Sequence, residues 1–365
     1  MKHFWRRAAA FFLMLIVLSL SCGCNVPSEE PTVPKEPVED SRKKFNVAYY
    51  DYFDTVSTVV GYEETKEAFE ERAEFVRSEL ERYNKLYDIY HSYSGVNNVY
   101  TLNREAAKGP VAVDDDVIAL LKFGKEVYEK TGGMTNIAMG GVLSIWHEYQ
   151  DEGNDDPFSA ALPPMEDLLA ASEHCNIDDV VIDEEAKTIF FADPLLQLDV
   201  GAVAKGYATE RIARDLMEQG TKNYALNIGG NVRTLGPKTD GSGWVAGIQN
   251  PDLSSEKTYI RRVLLDGKTL VTSGTYQRYY YVDGVRYHHI IHPETLMPEN
   301  SYTSVSILNE DSGWADALST ACFNLSLEDG MALIASFPDT EAMWVEADGT
   351  QHFSERFSDY LQETE

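Results

Sequence analysis

The sequence predicts an α+β fold: a single folded unit spanning about residues 45–356 of the 365-residue chain. Three observations carry that prediction. Helical and strand-like runs are mixed without the steady strand–helix alternation of a doubly wound sheet. Beyond residue 240 the pattern turns β-rich and closes on a helical pair and one more strand. No internal repeat and no convincing linker divides the unit.

Taken in order, "FNVAYYDYFDTVSTVVGY" (45–62) is dense in Tyr, Val, Thr and Phe and predicts strand. In 65–90 the apolar residues Phe69, Ala73, Val76, Leu80, Tyr83 and Tyr87 fall three and four apart, which predicts an amphipathic helix. A second helix is predicted over 114–131, from an Asp-rich start to "TGG". "DEGNDDPFSAALPPM" (151–165) reads as a surface loop, followed by a helix near 165–174 and a hairpin of strands 177–183 and 187–192 around "DEEAK". "LLQLDV" (195–200) reads as strand, Gly201 as a turn, and 203–219 as a helix with Tyr207, Ile212, Leu216 and Met217 on one side. Gly220 ends that helix and "YALNIGG" (224–230) is the next strand. "WVAGIQ", "TYIRRVLL", "TLVTSG", "RYYYV" and "SVSIL" continue as strands; 314–337 gives two short helices and "AMWVEA" (342–347) a closing strand.

Hydrophobic residues make up 43% of the chain and charged residues 25%, an ordinary folded composition. The net charge of -29 argues against nucleic acid and against an anionic membrane surface as partners. An anionic ligand must therefore be captured by local dipoles, a metal or isolated cations.

Lys2, Arg6 and Arg7 precede the apolar run 8–20 and then "SCGCN" (21–25). A basic end, a short apolar core and small residues read as a secretory leader over 1–24, with Cys22 or Cys24 acylated as in a bacterial lipoprotein. That predicts a lipid-anchored protein on the extracytoplasmic face of the cell membrane. Residues 25–44, rich in Pro, Glu and Lys, read as a disordered tether, and 357–365 as a C-terminal tail. Cys175 and Cys322 remain; they could pair, but Cys322 sits in an apolar helical stretch and reads as a buried free thiol. With no CxxC pair, a cysteine-bound zinc site is not expected.

"LDVGAVAKGYATER" (198–211) sets Asp199 and Lys205 in a Gly/Ala turn where strand meets helix, the layout in which free N–H groups and a positive helix end meet a phosphate. It matches neither the Walker A pattern nor GxGxxG, and alone such a turn is more often a packing corner. Three further segments shift the balance. "LNIGGNVRTLG" (226–236) supplies Gly229 and Gly230, where backbone can pass close to a ligand. Segment 272–298 combines a Ser-Gly turn, a Tyr cluster and His288, His289 and His292. His288 and His289 are adjacent and on a strand face opposite sides, so they do not share a metal. "ADALSTA" places Asp316 and Thr320 four apart on one helix face, hard oxygen ligands suited to Mg²⁺ and otherwise a cap and a packed hydroxyl.

In order and approximate spacing, "LDVGAVAKGYATER", "LNIGGN", "TSGTYQRYY…YHHIIHP" and "ADALSTA" resemble the FAD:protein FMN transferases of the ApbE type. The resemblance covers nearly the whole folded unit, including "FDTVSTVVGY", "YHSYSGVNNVYTLN" and "TGGMTNIAMGGVLSIW". It implies FAD as substrate, Mg²⁺ as cofactor, and transfer of the FMN half onto a Ser or Thr hydroxyl of an acceptor flavoprotein with release of AMP. The acceptor it suggests is an electron-transport subunit or an extracellular flavoprotein. By the same resemblance Asp199 and Lys205 hold FAD, and Tyr93, Met134, Thr135 and Asn136 line the flavin pocket. Gly229, Gly230, Ser273 and Ile290 add FAD contacts. Metal ligands are the carbonyls of Ala202 and Ser319, the Asp316 carboxylate and the Thr320 hydroxyl, while His289 is the base that activates the acceptor hydroxyl. A histidine titrating near neutrality suits that role. The chain departs from many members at Asn136-Ile137, where they carry Asp-Pro, at His292, where they carry Asp, and around residues 94–100. Two other readings fit the same motifs: an Mg²⁺-dependent FAD pyrophosphatase, and a non-catalytic flavin-binding lipoprotein.

Overall fold

The computed structural model describes residues 40–362, so the expected leader and nearly all of the tether lie outside the described residues. β1 (Lys43–Tyr52) and β2 (Thr55–Glu63) form an antiparallel hairpin, where the sequence predicts one strand through 45–62. Phe53 and Asp54 make the turn with φ of 53° and 50°, and no glycine marks it. Phe53 N–H donates to Asn84 Oδ1 at 2.8 Å, which holds the strained turn in place.

α1 (Lys66–Tyr87) follows the predicted spacing and buries Phe69, Ala73, Val76, Leu80, Tyr83 and Tyr87; Thr65 caps it by accepting from Ala68 N–H. α2 (Val99–Glu105) and β3 (Val111–Ala112) lead to α3 (Asp115–Lys130), capped by Asp114. α4 (Gly140–Asp155) takes in the first five residues of the predicted surface loop. α5 (Met165–Ser172) and the hairpin of β4 (Val180–Asp183) with β5 (Thr188–Phe191) stand where predicted, although 177–179 is a 3-10 turn rather than strand.

Residues 195–200 are not a strand; only Gln197 makes an isolated parallel bridge, to Met139. The backbone is satisfied another way. Leu198 exchanges both its hydrogen bonds with the Asn103 side-chain amide, at 2.7 and 2.9 Å. Asp199 N–H donates to Ile137 O at 2.8 Å, and Gln197 O accepts from Gly140 N–H at 3.0 Å. α6 (Ala204–Glu218) then buries Ile212 and Leu216 but leaves Met217 39% exposed, contrary to the predicted face, and Gly220 closes it at φ 81°.

The strands that follow are β6 (Tyr224–Ile228), β7 (Asn231–Leu235), β8 (Trp244–Gln249), β9 (Tyr259–Leu265), β10 (Thr269–Gly274), β11 (Tyr279–Val282), β12 (Val285–His288) and β13 (Tyr302–Asn309). α7 (Ser312–Asn324), α8 (Leu327–Ala335), β14 (Glu341–Glu346) and β15 (Gln351–Phe353) complete the chain. The main sheet runs β1-β2-β6-β7-β10-β13-β14-β15, antiparallel at every pairing. Neighbouring residues point to opposite faces. Val271, Ile307 and Trp344 pack with Leu318 and Phe323 of α7, whereas Leu270, Leu308 and Met343 pack with Trp244, Ile248 and Val263 of the β8–β9 hairpin. That second core also contains Phe357, fully buried, and Gln362 N–H donates to Arg262 O at 2.9 Å. The predicted tail is thus part of the domain as far as it is described. Cys175 and Cys322 are both free, Cys322 buried. Among the described residues no helix is long and apolar enough to cross a membrane.

A buried ion pair ties the layers together. Arg233 on β7 donates from Nε to Glu210 Oε2 on α6 at 2.9 Å, with both side chains 6% exposed. Its Nη1 also reaches Thr234 O and Gly267 O, while Glu210 Oε2 accepts from Ser312 N–H at the start of α7. Arg233→Met leaves the buried Glu210 with the exposed Arg214 as its remaining cation and the Ser312 N–H as a neutral donor. A loss of about 3 kcal/mol in unfolding free energy is expected, read from the denaturant midpoint.

Candidate active site

Asp199, Gly201 and Ala202 turn the chain into α6, whose first turn carries Lys205. The next residue, Gly206, permits a close approach: a Cβ there would sit 2.3 Å from both Asp316 Cβ and Ser312 O. Because none is present, Gly206 N–H donates to Asp316 Oδ2 at 2.7 Å. The N-terminal end of α6 and one face of α7 therefore meet, and Ala202, Lys205, Asp316 and Thr320 line one cleft of about 1400 Å³.

Asp316 is 6% exposed. Burial pushes its carboxyl up, opposed by the charge of Lys205, the Gly206 N–H and the Asn231 amide. A buried carboxylate wants a cation beside it, and the surrounding donors are oxygens. The Asp316 carboxylate, the Thr320 hydroxyl and the Ala202 carbonyl form a hard donor set that fits a small divalent ion. Ser319 does not join them on the cleft wall: it is fully buried, and its Oγ donates to Asp316 O at 2.8 Å and sits 2.7 Å from Ser273 Oγ. Ser273 does line the cleft, held by that same contact.

Of the three flagged histidines only His289 lines the cleft. His288 is buried on the other side, with Nε2 2.6 Å from Glu299 O, and His292 Nδ1 accepts from Glu294 and Thr295 N–H groups to cap a turn. His289 Nδ1 lies 3.2 Å from Arg278 O, a carbonyl that can only accept. That fixes the proton on Nδ1 and leaves Nε2 with its lone pair. Burial pushes the ring down to about 3, against the Arg278 carbonyl and reinforced by His288, Arg278 and Lys205. The sequence expects an imidazole titrating near neutrality; the cleft instead holds a neutral one.

The remaining implied contacts divide. Tyr93, Met134, Asp199, Gly229 and Ile290 line the cleft. Tyr93 OH donates to Asp88 Oδ2 at 2.7 Å, and Asp199 Oδ1 accepts from Gly201 N–H at 2.8 Å. Thr135 and Asn136 also line it, but their polar groups are used inside the wall: Thr135 Oγ1 donates to Ala317 O, and the Asn136 amide joins Cys175 O to Ala138 N–H. They shape the surface rather than offer it hydrogen bonds. Gly229 and Gly230 form the two-residue turn between β6 and β7, with φ of 60° and 97°. Gly229 fits against Thr55, whereas Gly230 is exposed and stands off the cleft wall.

Sequence reasoning missed several cleft residues. Tyr90 and His147 stand near Asp199, with His147 Nε2 4.0 Å from Asp199 Oδ2 and Nδ1 3.4 Å from Tyr90 OH. Arg278 adds a second cation to a lining that also includes Asp51, Asp54, Asp88 and Asp151. Asn231 and Asn324 are buried in the wall. Asn324 could have been found, since it follows Thr320 by four residues on the same helix.

Fold and site define the class: an α+β protein whose deep cleft joins a helix N-terminus and a lysine to a buried carboxylate, an arrangement for a phosphorylated ligand. The chain belongs to the ApbE family, which its residues 53–344 match. It is 31% identical over 267 residues to the FAD:protein FMN transferase of Klebsiella pneumoniae (strain 342), covering 73% of this chain and 79% of that one. To the protein of the same name from Treponema pallidum (strain Nichols) it is 34% identical over 258 residues, covering 67% and 69%. Among solved structures, the ApbE protein of Thermotoga maritima superposes with a TM-score of 0.76 at 27% identity, over 88% of this chain and 100% of that chain.

Proposed function

We propose that this chain transfers the FMN half of FAD onto a protein, in a magnesium-dependent reaction that modifies a Ser or Thr hydroxyl and releases AMP. Relatives named FAD:protein FMN transferase support the transfer of FMN from FAD to a protein. The observation that carries the reading is the Gly206–Asp316 contact, which sets Lys205, Asp316 and Thr320 in one cleft with His289. A magnesium ion bound there supplies positive charge to the pyrophosphate, which otherwise repels an incoming oxygen nucleophile. Lys205 and the α6 N-terminus would hold the phosphates.

The acceptor hydroxyl oxygen bonds to the FMN phosphorus, its proton passes to His289 Nε2, and the bond from that phosphorus to the bridging oxygen breaks, so AMP leaves with the electron pair. A bound pyrophosphate would raise the proton affinity of a ring that burial holds neutral. The Arg278 carbonyl keeps the accepting nitrogen correctly placed throughout. The basic, apolar and small-residue pattern of residues 1–24 supports reading them as a lipoprotein leader, and so the enzyme and its acceptor flavoprotein as lying on the outer face of the membrane.

Incubation of the protein with FAD, Mg²⁺ and an acceptor flavoprotein from the same organism tests this directly. Intact mass of the acceptor is expected to rise by one FMN unit. Release of FMN and AMP with no gain in acceptor mass assigns the chain to hydrolysis instead. His289→Ala is expected to lower kcat for transfer by about 10²- to 10⁴-fold, the range of a general base, while FAD affinity changes little. A large fall in affinity at unchanged kcat reassigns His289 to binding.

A further inference from the structure

The turn of the first hairpin is built from residues ill suited to it. Phe53 and Asp54 fill its two central positions with φ of 53° and 50°, between the paired residues Tyr52 and Thr55. Such turns favour Asn-Gly, and a bulky ring in the left-handed region is strained. Strain of this kind persists only where the surroundings over-determine it, and it gathers at ligand sites. Here the surroundings are specific. Phe53 N–H donates to Asn84 Oδ1 of α1 at 2.8 Å; that N–H can only donate, so the amide oxygen faces it. Thr55, the next residue, fits against Gly229, whose N–H donates to Val56 O at 3.2 Å. Phe53, half-buried, and Asp54, exposed, both line the cleft, so a ligand there can touch them. Burial raises the hydroxyls of Tyr90 and Tyr93 to about 12, and the charge of Asp54 adds a smaller push to both, so the turn lies within electrostatic range of that loop. The carboxylates of Asp54 and Asp88 disfavour a phosphate beside them and can accept from N–H and O–H groups.

We propose that Asn84 is a positioning residue for substrate binding: by accepting the Phe53 N–H it holds the strained turn, and with it Phe53 and Asp54, in the shape that receives an uncharged, donor-bearing part of the dinucleotide. Two parts of FAD present that chemistry: the adenosine, through its amine and ribose hydroxyls, and the flavin, through its imide and ribityl hydroxyls. Asn84 acts through the turn rather than by contact. This role rests on FAD being the ligand. It is separable from the transfer reaction, because it is read by binding alone.

The test is titration of the full protein with FMN and, separately, with ADP, both in the presence of Mg²⁺, for wild type, Asn84→Leu and Asn84→Asp, with thermal midpoints recorded alongside. Leucine keeps the volume and removes the acceptor; aspartate keeps an oxygen in the same place. In Asn84→Leu one ligand is expected to bind about three- to tenfold more weakly with the other unchanged, and Asn84→Asp to return it to within about twofold of wild type. A selective loss for FMN assigns the flavin part to the turn, and a selective loss for ADP the adenosine part. A fall in thermal midpoint with both affinities unchanged makes Asn84 a structural residue only and overturns the role. An equal fall in both affinities overturns it too, as does an Asn84→Asp variant as weak as Asn84→Leu. Asp54→Gly reads the turn without touching Asn84. Glycine adopts a φ of 50° freely, so the thermal midpoint is expected to hold while the same ligand binds more weakly. Wild-type affinity for both ligands in Asp54→Gly overturns the turn's part in binding. Unchanged affinities across the variants defeat this role alone, whereas a wild type that binds neither ligand defeats the proposed function as well.

Discussion

Asp316→Ala is expected to cut transfer by about 10³-fold at low magnesium. The carboxylate is the single acidic group of the donor set at the junction of α6 and α7, and its Oδ2 also accepts the Gly206 N–H. Alanine removes the negative charge that a divalent ion requires and leaves that N–H without an acceptor. The two consequences can be separated. Asp316→Asn retains the shape and one accepting oxygen, so it keeps most of the stability while losing activity; high Mg²⁺ is expected to restore part of the turnover. The measurement is kcat across a Mg²⁺ series for both variants. Wild-type turnover of Asp316→Ala at low Mg²⁺ would remove the residue from the metal site.

Gly206→Ala is expected to be nearly as damaging although it deletes no functional group. The added methyl would lie 2.3 Å from both Ser312 O and Asp316 Cβ, and neither belongs to a flexible chain end. α6 and α7 have to move apart, which costs about 3 kcal/mol and pulls Lys205 away from Asp316. A fall in both thermal midpoint and turnover is the expected outcome. Gly141→Ala in α4 is the matched control: its nearest contacts are at 3.8 and 3.9 Å, so no more than a slight gain from helix propensity is expected. Equal stability of the Gly206 and Gly141 variants would contradict the close approach on which the site depends.

How much of this was legible beforehand depended on whether the deciding interactions were local. α1 declares itself through spacing, because its buried face repeats every three or four residues. The four site motifs were legible for a related reason: each is a contiguous turn or helix face. The segment 195–200 misled because its apolar alternation suits a strand, yet its partners are a side chain at Asn103 and a loop at 137–140. Nothing nearby in sequence discloses those partners. The turn at Phe53–Asp54 was hidden for lack of a glycine, and its support comes from Asn84 on α1. Within the site, Ser319 and Gly230 lie beside true cleft residues in sequence, but a step of one residue along a helix or a tight turn carries a side chain off the surface. Spacing within the "ADALSTA" helix could have extended the cleft face from Thr320 to Asn324.

The first hairpin has a consequence for reach. Asp51, Phe53 and Asp54, at its turn, line the cleft, whereas Lys43 lies at the opposite end of β1. Ten extended residues put about 30 Å between the two.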